Sequence, residues 1–195
     1  MTTPREQIIQ ATCILLEKQG FPATGLNEIV RKSGAPKGSL YHYFPEGKEQ
    51  LVSEAVLYSG EILVNRLRAE LDKDPDPIQA IYAYILRLAD KIEEKQFSAG
   101  NPLSIVAIES AAASERISQS CQQVYGKMES VFREKLTRSG MSSTLAEEKA
   151  CLMMIGLEGG ILLSRVRRTA DPLRMLARHF LETKQEAYPQ KPEDS

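Results

Sequence analysis

The sequence predicts an all-α protein of about nine helices, and three observations carry that prediction. Apolar residues recur at three- and four-residue steps along most of the chain, the spacing of a helix with one buried face. Alternating apolar and polar runs, which mark half-buried strands, are scarce. Cap residues and prolines open the periodic stretches, and glycines or proline-rich breaks close them. No internal repeat or low-complexity tract interrupts the pattern.

Ile8, Thr12, Leu15 and Leu16 form one stripe on a first helix from about Arg5 to Gln19, closed by Gly20. A short second helix holds Leu26, Ile29 and Val30, with Thr24 or Gly25 at its cap, and ends near Ser33-Gly34. Ala35-Pro36 opens a third, because proline fits the first helical turn, where its missing N–H is not needed. That helix runs to about His42 and is broken by Phe44-Pro45-Glu46-Gly47. A long helix then starts near Lys48, with Leu51, Ala55, Ile62, Leu63, Leu67 and Leu71 inside.

Asp74-Pro75-Asp76-Pro77 marks a hinge, where Asp76 can cap the next helix and Pro77 can occupy its first position. Ile78, Ile81, Tyr82, Ile85, Leu88, Ala89 and Ile92 give that helix a strong stripe. Gly100-Asn101-Pro102 interrupts, and an apolar segment follows from Leu103 to Ala113. Cys121, Val124, Tyr125, Met128 and Phe132 define another helix, stopped by Gly140. Thr144 with Glu147 fits a capping box for the next. Asp171-Pro172 repeats the cap-plus-proline start for a last helix carrying Leu173, Leu176, Ala177, Phe180 and Leu181. The polar tail after Lys184 is expected to fray.

With 195 residues, 42% hydrophobic and 26% charged, the composition is that of a soluble globular chain. The net charge of 25 − 26 = −1 excludes a polycation, so nucleic-acid binding requires a local basic surface. Three widely spaced cysteines without a CxxC pair give neither a disulfide framework nor a zinc site, and read as small buried hydrophobes. The first twenty residues lack a signal-peptide layout, and the apolar run 150–157 is far short of the roughly 20 residues that span a bilayer. The expected location is the cytoplasm. HExxH, nucleophile-elbow, P-loop and GxGxxG motifs are absent, and no feature calls for an enzyme, a metal or a cofactor.

The second and third helices, joined at Gly34, fit a helix-turn-helix, in which a glycine supplies the positive φ of the turn. Leu26, Ile29, Val30, Ala35 and Leu40 are placed to pack the pair. Between Arg31 and Tyr43 stand Arg31, Lys32, Lys37 and a histidine, with no acid, a local footprint for a phosphate backbone. Lys37, Gly38 and Ser39 begin the recognition helix. There Lys37 can donate to guanine O6 and N7, Gly38 permits close approach, and Ser39 can bond a base edge or phosphate. Tyr41 and His42 suit phosphate clamping, Lys48 adds charge at the start of the long helix, and Thr24 offers a hydroxyl to another phosphate.

The strings Thr24-Gly25-Leu26-Asn27-Glu28-Ile29-Val30 and Ser33-Gly34-Ala35-Pro36-Lys37-Gly38-Ser39-Leu40-Tyr41-His42-Tyr43-Phe44 resemble the TetR family of transcriptional regulators over about the first fifty residues. Two departures stand out. Many relatives carry serine or threonine where Pro36 stands in the candidate DNA surface, and the Pro45-Glu46-Gly47 element is one residue longer than is common. A narrower resemblance, to the LmrA/YxaF-type subgroup, rests on that insert, on Gly100-Asn101-Pro102 leading to Ala107 and Glu109, and on 158–164. Known members of that subgroup respond to flavonoids and control efflux or ring-cleaving oxygenase genes.

The resemblance implies a helix-turn-helix domain over 1–48, a ligand-binding and dimerisation domain over 49–186, and a connecting helix from 48 to about 73. It also implies a double-stranded DNA operator, a homodimer and a small-molecule inducer. The sequence agrees on the dimer, with a purely intramolecular core as the alternative: 150–163 is apolar nearly all round, and Gly156, Gly159 and Gly160 would admit a close helix. With Leu163, Leu173, Leu176 and Phe180 they compose the expected seam. Tyr82, Phe97, Ile105, Glu109, Tyr125, Met128, Phe132 and Met154 are candidates for an apolar inducer site with a few polar groups. An ion pair with Arg165 or Arg116 is the simpler account of Glu158, and Glu109 stays open between ligand and structural roles. The expected mechanism is repression relieved by ligand, with the long helix connecting pocket to reading head.

Overall fold

The computed structural model describes residues 2–97, 102–110 and 114–182, and among these there are nine helices and no strand. They are α1 (Pro4–Ala23), α2 (Leu26–Ser33), α3 (Lys37–Tyr43), α4 (Lys48–Leu71), α5 (Pro77–Glu94), α6 (Pro102–Ser110), α7 (Glu115–Arg138), α8 (Ser143–Arg167) and α9 (Asp171–Glu182). Gly100, Asn101, the end of the apolar segment at Ala113 and the expected frayed tail lie outside the described residues.

The local signals that proved accurate are the ones that act within a turn. Thr3, which sequence reading did not name, caps α1 in a reciprocal box with Glu6. Asp76 caps α5 as expected, its Oδ1 accepting from the N–H groups of Ile78 (2.9 Å) and Gln79 (3.2 Å), with Pro77 in the first turn. Other starts are displaced. Ser142, not Thr144, caps α8 by accepting from Leu145 N–H. Asp171 lies inside α9, because the Ala170 carbonyl already receives the N–H groups of Leu173 and Arg174. Pro36 caps α3 instead of standing inside it, whereas α2 takes Gly25, one of the two residues expected there, at its cap.

The described residues divide into two compact units. One holds residues up to Asn65 together with those of α6 and of α7 as far as Lys127; the other holds 66–97 and the chain from Met128 onward. The first part of α4 belongs with the three N-terminal helices in the first unit. In the first unit Ile8, Ile29, Leu40, Phe44, Leu51 and Ile117 are fully buried. α7 meets α4 there through a hydrogen bond between the Ser53 and Ser120 hydroxyls (2.7 Å) and an ion pair of Lys127 with Glu61.

In the second unit the buried Ile78, Ile81 and Ile85 of α5 and Leu173 and Ala177 of α9 contribute to the core. Arg174 of α9 holds Glu93 (2.7 Å) and Asp90 (3.3 Å) of α5. Cys121 is buried and Cys13 half-buried, but Cys151 is exposed on α8, contrary to the uniform burial expected of the cysteines. Burial pushes the Cys13 thiol up to about 11, so it carries almost no thiolate at neutral pH. No described helix is long and apolar enough to cross a membrane, and no described cluster of His, Cys, Asp and Glu could hold a metal ion.

Candidate nucleic-acid interface

The turn between α2 and α3 is built from its glycine outward. Gly34 takes the left-handed conformation (φ 66°, ψ 5°), which a side chain would strain. Ser33 secures the corner: its hydroxyl donates to Val30 O (2.9 Å) and accepts from Ala35 N–H (3.2 Å). Behind the turn, the fully buried Ile29, Leu40 and Phe44 lock the pair to α1, and the Arg5 guanidinium covers the Phe44 ring at 5.7 Å.

With that face spent on packing, the opposite face of α3 is left to solvent. Tyr41 is 58% exposed, His42 is exposed and stands edge-on to Tyr43 (4.9 Å between rings), and Gly38 has open space where a Cβ would be. Pro36 is exposed and Ser39 half-buried. Lys37 opens α3, and its side chain lies outside what the structure describes. Arg31 and Lys32 are exposed at the end of α2, where Arg31 reaches Glu28 only at 3.9 Å. A surface tyrosine and histidine beside basic residues, with no acid between 31 and 43, is suited to phosphate and base contacts.

Two expected members of this surface have partners that their residue types did not announce. Thr24 is fully buried, and its hydroxyl donates to Gly20 O (2.6 Å), so it ties the α1–α2 corner instead of presenting a donor outward. Lys48 does open α4, but its Nζ rests 4.4 Å from the centroid of the Phe21 ring and 3.4 Å from Pro22 O. Partial burial pulls its pKa below that of an ordinary lysine.

The Pro45-Glu46-Gly47 insert forms a compact turn, with Gly47 at φ 81° and its N–H donating to Phe44 O (3.0 Å). Arg116 of α7 pairs with Glu46 (2.9 Å), and Ser114 donates to Glu49 (2.7 Å). Arg116, one of the two arginines considered for Glu158, is thereby engaged with Glu46. Glu109 acts as a backbone acceptor: its Oε2 receives the Phe21 N–H at 2.7 Å.

The remaining inducer candidates fall in both units. Ile105 and Tyr125 are half-buried in the first, where the Tyr125 hydroxyl donates to Ser104 (3.3 Å). In the second, Met128, Phe132 and Met154 are buried and Tyr82 is half-buried; Phe97 sits at φ 60° with the Arg168 guanidinium 5.8 Å from its ring. Sequence reading passed over Tyr84, which meets Phe132 edge-on at 6.1 Å. Its phenol is pushed up to about 12 by burial, with the carboxylates of Glu70 and Glu158 adding to the effect. The three-residue step from Ile81 was the available signal.

The expected dimer residues also separate. A Cβ on Gly156 would lie 2.7 Å from Leu176 Cδ1, and one on Gly160 would lie 2.7 Å from Leu173 Cδ2. Those glycines admit α9 of the same chain, and the buried Leu173 and Phe180 lie on that same helix. Gly159 and Leu163 face outward. With Leu152, Ile155, Leu162 and Val166, which sequence reading did not name, they form an outward stripe on α8, repeating at steps of three and four.

Two family models match this chain. Residues 8–55 fit the model for bacterial regulatory proteins of the tetR family, and 77–179 fit that for the LmrA/YxaF-like C-terminal domain. The HTH-type transcriptional regulator YxaF of Bacillus subtilis is 39% identical over 173 residues, covering 89% of this chain and 91% of that protein. The chain belongs to the TetR family. LmrA of the same organism, also an HTH-type transcriptional regulator, is 37% identical over 169 residues, covering 87% and 90% of the two chains. The fold matches Escherichia coli NemR in its reduced form with a TM-score of 0.80 at 22% identity, covering 92% of this chain and 95% of that one. This TetR-family chain is thus a DNA-binding transcriptional regulator with an LmrA/YxaF-like C-terminal domain, and its relatives are regulators, not enzymes.

Proposed function

We propose that the protein is a homodimeric repressor, released from a palindromic operator by a small apolar or aromatic inducer of the flavonoid class. The observation that carries this reading is the outward face of α3. Tyr41, His42 and the open backbone at Gly38 stand beside Arg31 and Lys32, with Lys37 at the helix start. A recognition helix presented this way reads bases in the major groove while flanking groups hold phosphates.

The α8 stripe supports the dimer. Val166 is 72% exposed and Ile155 63%, an apolar row that water solvates poorly and a second copy of the same row would cover. A two-fold axis there pairs two reading heads, which is what a palindrome requires. The LmrA/YxaF-like domain supports an aromatic inducer, and α4, continuous from Lys48 to Leu71, supports a path from that domain to the head. The ligand acts by binding one dimer geometry better than the other.

Titration of DNA from upstream of its own gene, across a salt series, with and without quercetin-like flavonoids, tests the proposal. Saturable, sequence-selective binding relieved by the flavonoid is expected. Selective binding without relief removes the inducer class, and the absence of selectivity on this DNA and on a genomic fragment library removes the repressor.

A further inference from the structure

Phe21 stands between two groups that the sequence gives no reason to connect. On its backbone side, Gly20 takes φ 75° and ψ −177°, a conformation open essentially to glycine alone, and kinks α1 sharply. That turn aims the Phe21 N–H at Glu109 Oε2, 2.7 Å away. The same carboxylate occupies the space a Cβ on Gly20 would need, at 2.6 and 2.7 Å. Thr24 completes the fastening, with its N–H on Phe21 O (3.3 Å) and its hydroxyl on Gly20 O (2.6 Å). The Phe21 backbone is therefore fixed from three directions.

On its side-chain side, the ring faces the Lys48 ammonium at 4.4 Å, and the adjacent Pro22 carbonyl lies 3.4 Å from the same Nζ. Both partners are neutral. They hold the ammonium by the ring quadrupole and a carbonyl dipole without cancelling its charge, so it stays available to an anion. A lysine on a free four-carbon stem would lose that stem's rotamer entropy on binding a phosphate; one already held loses less.

We infer that Phe21 is a positioning residue for DNA binding, presenting Lys48 to an operator phosphate, with Glu109 and the Gly20 turn holding Phe21 in place. This rests on the repressor reading above. Glu109 thus ties α6 to the lysine through one backbone hydrogen bond and one ring.

Operator binding by the full-length protein across a salt series tests it, using Phe21→Leu, Phe21→Tyr, Lys48→Met and the Phe21→Leu/Lys48→Met double variant. Lys48→Met is expected to lower the slope of log K against log salt by about 0.9 for each phosphate it no longer neutralises. Phe21→Leu is expected to weaken binding roughly 3- to 10-fold, the range set by the strength of a cation–π interaction, and to have no further effect once Lys48 is methionine. Phe21→Tyr keeps the ring and is expected to bind as the wild type does. Additive losses in the double variant, or a weakening that persists unchanged in the methionine background, would show Phe21 to be a packing residue and overturn the inference. Should Phe21→Leu lose its helical circular dichroism, 3,4,5-trifluorophenylalanine at position 21 gives the same comparison, since it preserves shape and removes the ring's negative face. Wild-type protein that selects no DNA overturns the repressor reading itself, a result distinct from any ordering among the variants.

Discussion

Gly60 of α4 lies directly beneath Val124 of α7: a Cβ at Gly60 would overlap Val124 Cγ2 and approach Cγ1 to 2.8 Å. The branched valine has no distant flexible end to swing aside, so α4 and α7 can pack this closely only without a side chain at 60. Gly60→Ala gains about 1 kcal/mol of helix propensity and loses about 1–3 kcal/mol to overpacking. A net loss of stability in urea denaturation is expected, with recovery when Val124→Ala is added. A stabilised single variant would contradict the contact.

The corner at Gly20 is a second place where backbone and side chain depend on each other. Gly20→Ala strains φ 75° and displaces the Glu109 carboxylate, and is expected to destabilise the protein by about 1–3 kcal/mol. Thr24→Val, which removes the buried hydroxyl from Gly20 O, is expected to cost about 1–3 kcal/mol by leaving the carbonyl unpaired. Chemical denaturation of both variants measures this, and wild-type stability for either would sink the account of the corner.

Acid tests the clamp of α9 on α5. Arg174 holds the Glu93 carboxyl below its usual range, chiefly through their hydrogen bonds. A carboxylate whose folded pKa is depressed contributes stability above its unfolded pKa, and that contribution disappears as pH falls through the folded value. Glu93→Gln is therefore expected to melt below the wild type at pH 7, with the gap closing as pH falls below the ordinary carboxylate value and through the depressed folded one, where the native carboxylate protonates. Thermal melts over that range decide it; a gap independent of pH would mean the pair contributes nothing through charge.

The two faces of α8 are expected to respond differently to substitution. Ile155→Glu, on the exposed stripe, should leave helical circular dichroism intact and yield monomers by sedimentation at micromolar concentration. Leu173→Ala, fully buried against Gly160, should cost about 2–5 kcal/mol of stability. A dimer that survives Ile155→Glu would move the interface elsewhere.

These outcomes mark where sequence reading succeeds and where it stops. The Asp76-Pro77 start of α5 was legible because cap and proline both act within one turn. Ser142, Ser143 and Thr144 are all competent caps, and sequence alone does not decide which of them opens α8. The two glycine-lined steps at 156 and 160 and the row at 152, 155, 159, 162 and 166 both satisfy helical spacing, so an all-round apolar helix hides which face meets its own chain. Leu173 and Leu176 settle that by filling the notches over Gly160 and Gly156. The exposed face of α3 was readable because its residues are consecutive on one short helix. Thr24 was misplaced because its partner, the Gly20 carbonyl, depends on a backbone turn that residue types do not announce, and the same turn hides the Phe21 ring that holds Lys48.

A hydroxyl-radical footprint on the selected operator tests the central claim most directly. The account predicts two protected patches on successive major grooves, related by two-fold symmetry with centres about 10 base pairs apart or a multiple of that. It also predicts that Tyr41→Ala weakens both patches together. Uniform protection with no preferred register, or a single patch that Tyr41→Ala leaves unchanged, would contradict it.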